Sequence, residues 1–135
     1  MKQFIVLAAV LPILMLFIMQ FSLEQRQHDA ISMAQEIVNQ MALELRNDQY
    51  GIGFEERYRI RIAECLNVNA DEILIEININ CRDLAETSAS GQEISYSVRF
   101  PLGRIMAGGE WMGIPGANNI GWYDINGSVY IKEQV

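Results

Sequence analysis

The sequence predicts an α+β fold, a long N-terminal helix packed on a small antiparallel sheet of three to four strands. Three observations predict it. Residues 4 to 23 are apolar apart from Pro12, Gln20 and Ser22, and hold no charge. Behind them, apolar residues recur at three- and four-residue steps with no Gly or Pro before position 47. Further on, "DEILIEININ" and "EISYSVRF" alternate apolar and polar, the period of a half-buried strand.

The apolar run comes first. As a helix, about 20 residues at 1.5 Å each reach roughly 30 Å, the thickness of a bilayer's hydrocarbon layer. A cleaved signal peptide and a buried core helix are the rivals. Signal cleavage wants small residues at its −1 and −3 positions, and "FIMQFSLEQ" offers Phe, Gln and Met. A retained membrane anchor over 1–23 is therefore expected, followed by one extracytoplasmic domain over 24–135. Lys2 before the span favours a cytoplasmic N-terminus in a single-pass cell-membrane protein. Pro12 removes one backbone donor and is expected to bend the helix.

Residues 22–47 continue as an amphipathic helix. Ala30, Ala34, Ile37, Met41 and Leu45 form its apolar stripe, widened by Ile31, Val38 and Ala42. This stripe is expected to pack on the sheet or on neighbouring helices. "NDQYGIG" ends the helix. A second helix is expected over 54–66, with Phe54, Tyr58, Ile62 and Leu66 spaced by four, although Tyr58, Ile60 and Ile62 also alternate as a strand would.

Strands are expected at 72–80, with Ile73, Ile75, Ile77 and Ile79 on one face, and at 93–100, closed by Pro101. Residues 101–121 hold six of the ten glycines and read as a long loop with a helical turn near Arg104 to Met106. "WYDINGSVYIKE" then reads as a hairpin, strands 121–125 and 128–132, with Asn126-Gly127 as its tight turn.

The chemistry is sparse. Ten Lys plus Arg against 17 Asp plus Glu give a net charge of −7, which repels phosphate backbones and disfavours nucleic acid as a partner. His28 and Asp29 are sequence neighbours, so on a helix they do not face each other. "YDING" lacks the further acidic ligands of a calcium loop, and no pair of carboxylates has a reason for separated pKa values. Neither enzymatic activity, nor a metal, nor a cofactor is expected. Cys65 and Cys81 are the candidates for a single disulfide outside the cytoplasm; a straight strand would hold them too far apart, leaving two separate buried thiols as the alternative. Trp111, Met112 and Ile114, in "EWMGIPG", either tuck onto the sheet or present an apolar subunit contact.

Leu11-Pro12 in "AVLPILMLF", running on into "QRQHDAISMAQEIVNQMA" and then an acidic β domain, resembles type IV pilin-like proteins and more closely the TadE-like pilus-assembly proteins. The resemblance covers about 45 residues. It implies apolar helices packed together in a filament or in the membrane, with the globular part outward. No Gly precedes the apolar run in "MKQFIVL" and no acid lies inside it, which points to an accessory or pseudopilin-like subunit rather than a major pilin. The expected function is a non-enzymatic subunit of a pilus- or secretion-type envelope assembly, with the membrane and other subunits, including copies of itself, as partners. A membrane-anchored module binding a ligand or partner through its Gly-rich loop is the alternative.

Overall fold

The computed structural model describes residues 2–47, 51–82 and 91–132. One helix, α1 (Lys2–Arg46), runs unbroken through Pro12. At 1.5 Å per residue it is about 68 Å long. Helix α2 (Phe54–Leu66) follows, with the bounds that its four-residue spacing predicts. Gly53 precedes it at φ 83°, and Asn67 ends it in the left-handed region at φ 54°. Phe54, Tyr58, Ile62 and Ala63 are its buried face, so the helical spacing and not the alternation describes this segment.

A short 3₁₀ turn at Ala70–Glu72 leads into β1 (Leu74–Arg82). The expected strand 72–80 thus starts and ends two residues later. Strand β2 (Gly91–Arg104) and strand β3 (Ile120–Lys132) complete a three-stranded antiparallel sheet in the order β1-β2-β3. Leu74 pairs with Arg99 at one end of β1 and Arg82 with Gly91 at the other.

Two strand expectations are corrected. Pro101 does not close the second strand, which continues to Arg104. β1 pairing stops at Arg99, so β2 is an edge on that side beyond it, and the register shifts between Pro101 and Gly103. An edge and a bulge are where a sheet tolerates proline. The hairpin at Asn126-Gly127 does not form either. Residues 120–132 are one continuous strand against β2, with Ser97 opposite Asn126 and Tyr96 opposite Gly127. The reason is facial consistency. One extended strand keeps Tyr123, Ile125, Val129 and Ile131 on the core side, where all four are partly buried. A two-residue turn would instead pair Ile125 with Ser128 and Asp124 with Val129. Gly127 is there for close approach: a Cβ at this position would collide with the Tyr96 ring.

The core lies between α1, α2 and one face of the sheet. Ala34, Met41 and Leu45 are fully buried, Ile37 and Val38 nearly so, and Ala30 is half-buried. The stripe expected on the helix is therefore used inside the protomer. It meets Tyr58 and Ile62 of α2, Ile73 and Ile75 at the start of β1, and Ile94, Val98 and Phe100 of β2. Burial fades along β1: Ile77 is partly buried and Ile79 is exposed. Burial pushes the Tyr58 hydroxyl up to about 12, helped by a hydrogen bond to the Glu44 carboxylate and by its charge.

Candidate functional site on the apolar helix

The first half of α1 buries nothing. Phe4 is 79% exposed and Phe17 70%, and the helix is long and apolar enough to cross a membrane. Among the described residues of this half, Leu16, Gln20 and Leu23 are partly covered. What covers Leu16 and Gln20 is the connection between β2 and β3.

That connection folds as a compact Ω-loop over residues 105–119, its two ends held together. Ile105 N–H donates to the Asn119 carbonyl at 3.0 Å. The Asn119 side chain, almost wholly buried, accepts from Met106 N–H at 2.8 Å and donates to Met106 C=O at 2.9 Å. It takes the place of a strand partner for one residue. Two short 3₁₀ turns, Gly109–Met112 and Gly116–Asn118, lie within the loop, in place of the helical turn expected near Arg104 to Met106. Gly108 and Gly113 flank the first turn at φ 71° and 78°, a conformation that costs glycine little.

Gln20 fastens this loop to α1. Its Oε1 accepts from Ala107 N–H at 2.9 Å, and its Nε2 donates to the Ile105 carbonyl at 3.2 Å. Two turns further, Gln27 Nε2 donates to the Arg104 carbonyl at 2.6 Å. Below Gln20 the contact is apolar: Leu16 reaches so close to Gly108 that a Cβ there would lie 3.2 Å from its Cδ2. An open cleft of about 280 Å³ lies between loop and helix, lined by Ile13, Leu16, Phe17, Met106, Ala107 and Met112.

The candidate contact residues divide. Trp111 is 81% exposed and Met112 is also exposed, so neither tucks onto the sheet, while Ile114 is half-buried. Its amide donates to the Gly109 carbonyl at 2.9 Å. Arg104 and Glu110, both exposed, form an ion pair at 3.1 Å beside this patch. Cys65 is a free, exposed thiol, its Sγ 3.7 Å from Met33 Sδ. Cys81 is the penultimate residue of β1, and its side chain, with the disulfide for which it is a candidate, lies outside the described residues. Among the described residues no group of His, Cys, Asp and Glu could hold a metal ion, and His28 is exposed.

Sequence reasoning missed Gln20 and Asn119. The signal for Gln20 was present: it is one of very few polar side chains in the apolar run, and such a group needs a partner. Asn119 gave none, since Asn is ordinary in a glycine-rich loop.

The loop lies on one side of the first half of α1. With about 100° between successive residues, Leu11, Met15, Ile18 and Ser22 face away from Ile13, Leu16, Phe17 and Gln20. All four are exposed. Comparison with family models, curated proteins and solved structures returns no match.

Proposed function

We propose that this chain is a non-enzymatic, membrane-anchored structural or accessory subunit of a cell-envelope assembly of the pilus or secretion type, as its resemblance to TadE-like and pilin-like proteins suggests. The N-terminus is cytoplasmic and the domain after residue 23 extracytoplasmic. The anchor holds the chain in the membrane, and lateral packing of the apolar helix joins it to its neighbours.

One observation supports this reading above the others: the bare face of α1. The second half of the helix is consumed by its own core, and the loop covers Leu16 and Gln20. Leu11, Met15, Ile18 and Ser22 are exposed and lie away from the loop. A neighbouring helix approaching this face does not displace the loop, and the small Ser22 permits close approach.

A photo-crosslinking side chain placed singly at each position from 7 to 22, in native membranes, tests this. Protein adducts are expected to recur with the helical period on Leu11, Met15, Ile18 and Ser22. Uniform lipid adducts at every position, with the chain monomeric, would contradict the subunit reading.

A further inference from the structure

The Ω-loop is fastened to the wrong end of the molecule for a water-exposed loop. Gln20 and Leu16, its two anchor points on α1, are inside the apolar run that ends at residue 23. At 1.5 Å per residue, Gln20 lies about 5 Å and Leu16 about 10 Å below the end of that run. With residues 4–23 in lipid, as proposed above, the loop is carried down to the same depth. Interfacial protein segments bury their apolar faces about 5–10 Å into the boundary between head groups and acyl chains.

The surface of the loop matches that medium. Trp111 and Met112 are exposed at its tip, and Ile105 and Met106 at its base. Glu110 is the one ionisable residue between positions 105 and 119, and it is paired with Arg104. The backbone matches too. Irregular chain is costly near hydrocarbon because water does not reach its polar groups. Here the amides of Ile105, Trp111, Gly113, Ile114 and Asn118 bond to loop carbonyls, and Asn119 and Gln20 satisfy those of Met106 and Ala107. Trp is also the residue favoured at the head-group level.

We infer that residues 105–114 form a second membrane contact, a monotopic wedge seated in interfacial lipid beside the anchor, with Trp111 and Met112 as its inserted tip. The occupant of the cleft between loop and helix is then an acyl chain. Besides deepening the hold on the membrane, a two-point contact fixes the rotation of α1 and so decides which helix face is turned to neighbours. A single helix leaves that rotation free.

The test uses the full-length protein with Trp122→Phe, which leaves Trp111 as the sole tryptophan, in phosphatidylglycerol–phosphatidylcholine vesicles. Trp111 emission is expected to fall about twofold when the lipid is brominated high on its acyl chains, less when brominated near their ends, and to resist aqueous iodide. The reciprocal Trp111→Phe protein reports Trp122 on the sheet, which iodide should quench. Phe17→Trp in the doubly substituted background controls for the anchor. Trp111 quenched by iodide and not by brominated lipid, with Phe17→Trp quenched by lipid, would overturn the wedge and leave the anchor standing. Trp111 shielded from both quenchers would put protein on the loop and overturn the wedge equally. Failure of brominated lipid to quench Phe17→Trp would overturn the anchor, and the wedge with it.

Discussion

Residues 4–23 and 30–46 belong to one helix, yet they answer to different surroundings. In the first segment apolar side chains point in every direction and almost all are exposed. In the second most apolar residues form one stripe, with Met33 and Leu43 exposed beside it, and the stripe is buried to the last atom at Ala34, Met41 and Leu45. An amphipathic face needs a protein partner and has one. A uniformly apolar surface needs an apolar solvent. Burial within the protomer therefore separates the part of the helix that stabilises the domain from the part that serves something outside it.

That contrast predicts opposite responses to the same kind of substitution. Phe100→Ala empties a fully buried site and is expected to cost about 3–5 kcal/mol of domain stability. Phe17→Ala removes a ring of the same size from an exposed position and should leave denaturant unfolding of the domain in detergent micelles unchanged. Equal losses would break the division between the two segments.

Gln20→Leu acts at the seam between them. It leaves the Ala107 amide without its acceptor, a loss of about 1–3 kcal/mol confined to the loop. Faster hydrogen exchange at Met106 and Ala107, with the sheet unaltered, is the expected result. Unchanged exchange would mean that Gln20 does not hold the loop. The smallest effect belongs to Asn126→Val. Asn126 is exposed in the middle of β3, where a β-branched residue is favoured, so stability should stay within about 1 kcal/mol of the parent or rise. A tight turn at this position would instead be disrupted, so a large loss would restore the hairpin.

The sequence displayed both helices well because their periodicities are long and uninterrupted: the span and its amphipathic continuation share one helix, and 54–66 closes at glycine and asparagine. The outward and inward faces of β1 and β2 were equally plain. What misled was local chemistry read without its partner. Asn-Gly is a turn signal in isolation, but Tyr123, Ile125, Val129 and Ile131 keep one phase across it, and a long β2 was available to pair with all of them. Pro101 is a strand breaker only where a neighbouring strand demands its amide, and pairing with β1 has ended by then. The docking of residues 105–119 onto α1 depends on contacts more than 80 positions apart, from Gln20 to Ile105 and Ala107, which no local pattern encodes.

Cysteine accessibility along α1 tests the anchor most directly. In a Cys65→Ser, Cys81→Ser background, single cysteines from position 6 to 28 are exposed to a membrane-impermeant maleimide in intact cells. Positions 6 to 20 should stay unlabelled, and labelling should begin near Gln25 and reach His28 from outside. Labelling of Leu11 or Met15 as readily as His28 would mean that water surrounds the first half of the helix, and the anchored subunit would be ruled out.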